Sequence, residues 1–359
     1  MHKRIWIIVV TLVFVDLSVG SVQCQIGPTR RPPVASGGPT VKVTPLGSQD
    51  GEFCRNDRAI LFEDPTGVRV LYDPGRTIAG GTDARLGDVH VMLLSHAHTD
   101  HIGDAIPNPS SPGTCASPGT TPATPNSNFA MIAAAKASAI FVGGELAAYL
   151  GRKIQDVTGA SSTATCDANG LNNEQVVPRT TPCTEALRPG GSVTARLNGA
   201  SAGVKIAVVP ALHSNGIPAT LTDSPGVAPG TAAYGGPESG YVLKFTSGLT
   251  VYLTGDTGLF GDMQTIVRDY YRANLMVINM GDVATTGPDE AAFAVRQLVR
   301  PRTVIPSHIN EAATTKGQPT GARLMEFLGQ MSRSEIAVVL PLSGITREFD
   351  PYGNCANCQ

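Results

Sequence analysis

Short β-branched and aliphatic runs recur along the chain, bounded by polar, glycine and proline residues, and their lengths suit strands better than helices. Strands are predicted over 41–44, 59–63, 68–72, 89–95, 139–142, 204–210, 240–246, 250–254, 275–279, 303–306 and 337–340. Helices are predicted over 129–136, 144–151, 260–271, 288–299 and 321–331. Pro288 followed by Asp289 and Glu290 suits a helix N-terminus, where a fixed φ and acidic side chains are both favourable. Paired strands early and late, with helices between, predict an α/β protein of two packed sheets covered by helices on their outer faces.

Composition narrows this picture. The 359 residues fit one large domain, rich in Gly (40) and Pro (27), with only 16% charged residues and a net charge of −2. That balance offers no basic footprint, so no nucleic-acid partner is expected, and coiled coils and collagen are excluded. A hydrophobic share of 42% still permits a substantial core. Segments 104–128 and 160–191, crowded with small and polar residues, read as inserts in a domain spanning 41–349, and no internal repeat is visible.

The N-terminus reads as an address. His2, Lys3 and Arg4 precede an apolar run over 5–15, and Ser18-Val19-Gly20 offers a cleavage site, so residues 1–20 are predicted to be a signal peptide and the protein secreted or periplasmic. At about 1.5 Å per residue the run spans about half a bilayer core, so no stable membrane anchor is expected. Residues 21–40 read as a disordered leader, and Gln23 disfavours lipidation of Cys24. Cys54, Cys115, Cys166, Cys183, Cys355 and Cys358 form an even set suited to an oxidising compartment. Pairing is left open, although Cys166 and Cys183 flank one polar stretch and invite local closure; the pair in the 350–359 tail is read as structural rather than redox-active or zinc-binding.

Three of the seven histidines fall within His96-Ala97-His98-Thr99-Asp100-His101, directly after the apolar run 89–94. Residues two apart project to one side at a strand end, so His96 and His98 can grip one ion while Asp100 and His101 face its neighbour. Three further candidates close strands downstream: His213, Asp256 in Gly255-Asp256-Thr257, and His308. Taken singly, each reads better as an ordinary core, surface or turn residue; taken jointly at strand ends, where α/β frameworks place their sites, they point to metal. His90 is read as an ordinary strand residue, His2 as part of the signal.

With Asp73 in Tyr72-Asp73-Pro74-Gly75 added, the chain resembles the metallo-β-lactamase-fold hydrolases over residues 41–349. Within that superfamily it looks most like the ascorbate-6-phosphate lactonase-like group, through Val209-Pro210-Ala211-Leu212-His213-Ser214, Thr254-Gly255-Asp256-Thr257-Gly258, Met280-Gly281-Asp282 and Val304-Ile305-Pro306-Ser307-His308. The resemblance implies an αββα sandwich with its metals at one edge of the sheets. The long segments 104–128 and 160–191, the export signal and the cysteines depart from that group, which puts transfer of its substrate in doubt.

The ligand inventory supports one ion on His96, His98 and His213 and a second on Asp100, His101 and His308, with Asp256 bridging and Asp73 steadying a ligand from behind. Asp282 is assigned no metal. Two divalent ions, zinc first with manganese or iron as alternatives, would generate a bridging hydroxide at neutral pH, with Asp100 handling the leaving group's proton, for hydrolysis of a lactone, ester or phosphodiester in a small-molecule substrate. β-Lactams are the alternative substrate, set back by Asp256 standing where the main β-lactamase class usually has cysteine. A non-catalytic metal-binding or interaction protein of the same fold, and redox chemistry at Cys355 and Cys358, are the remaining rivals.

Overall fold

A computed structural model describes residues 38–167, 173–221 and 232–358; the predicted signal, Cys24 and most of the leader lie outside them. Two eight-stranded sheets form the framework. One runs Arg347–Phe349, Val41–Pro45, Ile60–Glu63, Arg69–Tyr72, Val91–Leu94, Ala139–Gly143, Cys183–Leu187, Ala164–Thr165. The other runs Ala337–Val338, Thr303–Ser307, Leu275–Asn279, Thr250–Leu253, Ser239–Lys244, Val204–Pro210, Ser192–Leu197, Glu174–Val177.

Period-two alternation distributes each central strand between two cores. Val91 and Leu93 join Val208, Leu253 and Val277 in the core between the sheets. Their neighbours Met92 and Leu94 face outward onto Phe129, Ile132, Leu146 and Leu150, from helices Asn128–Lys136 and Leu146–Thr158. On the other sheet Val209, Tyr252 and Met276 pack with Met263, Val267, Val295 and Phe327 from three helical stretches. Helix, sheet, sheet, helix is thus the order of layers. Burial on both faces explains why the central strands read as unbroken apolar runs.

All eleven predicted strands occur, within a residue or two at their ends. The helix predicted over 144–151 continues to Thr158 with Gly159 in the left-handed region as its stop, and the one predicted from 260 begins at Met263. Pro288 opens its helix, and Glu290 Oε2 accepts a hydrogen bond from the Gly287 N–H (3.2 Å). Segment 160–191 contributes Glu174–Val177 to one sheet and Cys183–Leu187 to the other, strands that the sequence pattern did not reveal. Segment 104–128 holds a small hairpin, Ala105–Pro107 with Thr120–Pro122. Disulfides join Cys54 to Cys115, Cys166 to Cys183 and Cys355 to Cys358. Among the described residues no helix is long and apolar enough to cross a membrane.

Strand direction decides where loops meet. Thr250–Leu253, Leu275–Asn279 and Thr303–Ser307 are mutually parallel, as are Arg69–Tyr72 and Val91–Leu94 in the other sheet. Val204–Pro210 and Thr250–Leu253 both pair antiparallel with Ser239–Lys244 and so run the same way. Within each sheet, the carboxyl ends of these strands open on a common edge.

Candidate metal centre

The chain leaves Val91–Leu94 through Ser95 and His96 and enters a single helical turn, Thr99–Ile102, which carries Asp100 and His101. Asp73 follows Arg69–Tyr72, His213 follows Val204–Pro210, Asp256 follows Thr250–Leu253, and His308 follows Thr303–Ser307. Gly255 takes φ +62°, and a Cβ there would lie 2.8 Å from Ser95 Cβ, so glycine lets the Asp256 turn close against the histidine cluster.

The structure brings all seven predicted ligands together. His96, His98 and His213 form one group, Asp100, His101 and His308 a second, and His96, His101 and Asp256 a third that overlaps both; within each, donor atoms lie within 4.8 Å of one another. His98 Nδ1 and His213 Nε2 are 3.2 Å apart, His308 Nε2 and Asp100 Oδ2 3.2 Å, and His101 Nε2 and Asp256 Oδ1 3.3 Å. Asp256 Oδ2 looks the other way, 3.9 Å from His96 Nε2 and 3.8 Å from His213 Nε2. Bonds of 2.0–2.1 Å in a tetrahedral zinc site hold ligand atoms about 3.3 Å apart, so these spacings suit a cation.

A second observation agrees. His96 Nε2, His101 Nε2, His308 Nδ1 and Asp256 Oδ1 are all buried and have no hydrogen-bond partner. Leaving one such group unsatisfied is costly, and leaving four that face one another is difficult to reconcile with a purely structural role. Imidazole and carboxylate donors suit divalent cations such as zinc, manganese and iron.

Electrostatics follow from the same crowding. Burial, reinforced by neighbouring imidazoles, pushes the His96 pKa well below its ordinary value and keeps the ring neutral. Burial also depresses His101, but the carboxylates of Asp256, Asp73 and Asp100 overcome it and raise that imidazole to about 10. Burial works against ionisation of Asp256, yet His101 and His308 hold its carboxyl well below the usual range. Asp100 is likewise desolvated and likewise held low, chiefly by Arg58.

Around the candidate ligands stands a supporting set. Asp73 Oδ2 accepts from His101 Nδ1 (2.8 Å) and from Ser95 Oγ (2.7 Å), while Oδ1 takes the Ser95 N–H (2.8 Å). Sequence reasoning missed four partners. The buried Arg58 guanidinium pairs with Asp100 Oδ2. Asn215 Oδ1 accepts the Ala97 N–H (2.8 Å) and ties the first cluster to the His213 loop. Ser214 Oγ lies 3.2 Å from His98 Nε2, and the Ala284 carbonyl accepts from His213 Nδ1 (3.1 Å). All four act across loops, where no periodicity marks them; Ser214 and Asn215, beside His213 in sequence, carried the only available signal. Asp282 pairs with Arg323 (2.7 Å), and His90 Nδ1 accepts from the Arg69 N–H (3.0 Å).

This fold and edge-on cluster of histidines and aspartates define a metallo-hydrolase of the β-lactamase superfamily. Residues 56–308 match the beta-lactamase superfamily domain, and the chain belongs to that superfamily. More narrowly it is one of the UPF0173 metal-dependent hydrolases: it is 30% identical over 259 residues to one from Thermodesulfovibrio yellowstonii, covering 69% of this chain and 73% of that one. A UPF0173 metal-dependent hydrolase from Cupriavidus taiwanensis is 28% identical over 325 residues, covering 89% of this chain and 93% of the relative. Among solved structures, Igni18, a metallo hydrolase from Ignicoccus hospitalis, superposes with a TM-score of 0.53 at 22% identity, covering 87% of this chain and 99% of that one; the likeness supports the fold.

Proposed function

We propose that the chain is an exported hydrolase working with two divalent cations, zinc first, and that His96, His98, Asp100, His101, His213, Asp256 and His308 are their ligands. The carrying observation is the set of four buried donor atoms that make no hydrogen bond and face one another across the site. Bound cations supply Lewis acidity, lowering the pKa of water to about 7 and polarising the carbonyl or phosphoryl oxygen of the substrate.

The protein's part is to hold and orient. His96, His98 and His213 grip on one side, Asp100, His101 and His308 on the other, and Asp256 spans the two through its oppositely directed oxygens. Asp73 fixes His101 with its Nδ1 proton turned away, so that Nε2 faces the centre. Ala284 does the same for His213. Asp100 Oδ2 pairs with Arg58 and is the oxygen that, with His308 Nε2, would hold a cation, whereas its Oδ1 makes no hydrogen bond among the described residues; that oxygen is the one to take the proton of the attacking water and pass it to the leaving group.

The substrate class is a small-molecule lactone, ester or phosphodiester, and the lactonase-like resemblance favours the first. Export is supported by the N-terminal pattern and by three disulfides among the described residues. Elemental analysis of anaerobically purified protein should give two metal ions per chain, and Asp256→Asn should keep the fold while losing metal and most turnover on a panel of lactones, esters and bis-aryl phosphates. Folded protein with no metal, or an Asp256→Asn variant with unchanged turnover, would sink this reading.

A further inference from the structure

Three loops on the His213 side of the centre each hold a large apolar side chain in solvent. Leu212, next to His213, is 53% exposed; Leu259, three residues past Asp256, is 36% exposed; Val283 is fully exposed at 106%. The loops are bonded to one another: the Gly258 N–H donates to Leu212 O (3.0 Å), the Leu212 N–H to Thr257 Oγ1 (2.9 Å), and the Thr286 N–H to Thr257 O (2.9 Å). The loop bearing Val283 reaches both ligand groups, since Ala284 O accepts from His213 Nδ1 (3.1 Å) and Gly281 O from Asn310 Nδ2 (3.2 Å), two residues beyond His308.

Val283 is the least comfortable residue of the three. It takes φ +60°, directly after Asp282 at +62°, a region that β-branched side chains avoid. The strain is not repaid by burial, for the side chain touches solvent all round. Strain of this kind, held in a loop that braces a binding site, points to a contact made with something outside the fold.

The opposite side of the centre differs in character. Arg58 pairs with Asp100, and Arg76 grips Asp104 (2.6 and 3.0 Å) and Thr99 (2.9 Å). At the apolar lip the nearby Arg323 is bound to Asp282 (2.7 Å). These cations are paired within the protein, so none of them is on offer to a phosphate.

We propose that Leu212, Leu259 and Val283 form an apolar lip that seats an aliphatic tail of the substrate, so that the preferred class is a lactone or ester with a straight-chain acyl group rather than a phosphorylated sugar. This rests on the hydrolase reading above and selects within it. Because tail binding and bond cleavage can be measured separately, the two claims fail separately.

The test titrates metal-loaded protein with straight-chain carboxylates from butanoate to decanoate by calorimetry, and follows hydrolysis of γ-lactones bearing the same tails. A fully buried methylene is worth about fourfold, so partial cover of the longer tails should tighten Kd by about tenfold or more across the series. Val283→Ser and Leu212→Ser should each cut that gain to about threefold or less, whereas Met325→Ser, on an outer helix, should leave it intact. Affinity independent of tail length, or a gain that survives in both lip variants, overturns the proposal even if lactones are hydrolysed. Tail-dependent binding lost in the lip variants, without hydrolysis of any lactone, sustains the lip and instead defeats the choice of a lactone as the bond cleaved.

Discussion

Asp73 lies 2.8 Å from His101 Nδ1 and 2.7 Å from Ser95 Oγ, and both contacts follow from its place at the end of its strand, one step before Pro74 and Gly75. Its place behind the cluster was legible through the Tyr72-Asp73-Pro74-Gly75 motif that carries the family resemblance; its choice of His101 was not, since that depends on a neighbouring strand's register. Arg58 left no trace in the pattern, as it stands in a loop and reaches Asp100 42 positions away. Asp57, beside it, makes a separate contribution. Burial lifts its carboxyl to about 6, against the lowering pull of hydrogen bonds from the Cys54 N–H, the Ser48 N–H and Ser48 Oγ. A carboxyl whose pKa is raised on folding binds its proton more tightly in the native state, so its stabilising effect is complete below pH about 4 and is lost as pH rises to about 6. Thermal melts of wild type and Asp57→Asn, compared at pH 4 and pH 7, should show their difference in stability changing by about 2–3 kcal/mol in that direction. A difference that stays flat with pH would refute the assignment.

At the scale of elements, the strands that lead to the candidate ligands were the most legible, because burial on both faces forces continuous apolar runs, as in Val91-Met92-Leu93-Leu94. Glu174–Val177, Cys183–Leu187 and Ser192–Leu197 stayed hidden for the converse reason. They lie toward the far end of each sheet and bury at most every second position, with Glu174, Thr184, Glu185, Thr194 and Arg196 only partly buried and the polar Gln175 at a buried one. Cross-links hold such weakly patterned chain in place. Cys166–Cys183 closes 17 residues around the polar stretch, while Cys54–Cys115 closes 61 and ties segment 104–128 to the loop that carries Arg58. On the chain-entropy view, replacing Cys54 and Cys115 by serine should cost about 4 kcal/mol, about 1 kcal/mol more than replacing Cys166 and Cys183. Urea unfolding of the two double variants under non-reducing conditions measures the difference; the reverse order would show that native contacts, not loop length, govern the effect.

For the molecule as a whole, the candidate ligands are divided between its halves. His96, His98, Asp100 and His101 follow a strand of one sheet, whereas His213, Asp256 and His308 follow strands of the other. The His96, His98 and His213 group and the Asp100, His101 and His308 group each draw on both. A cation held there acts as a rivet through two plates, and prising the sandwich open requires its release. Chelation should therefore lower the melting temperature of the entire domain, by the equivalent of about 2.7 kcal/mol for each ion removed, relative to protein kept with free metal at a hundred times its Kd. A melting curve indifferent to chelator would mean that the plates stay joined without the rivet. If they do not, the metal supply of the compartment in which this chain folds governs how much of it survives, quite apart from how fast it turns over.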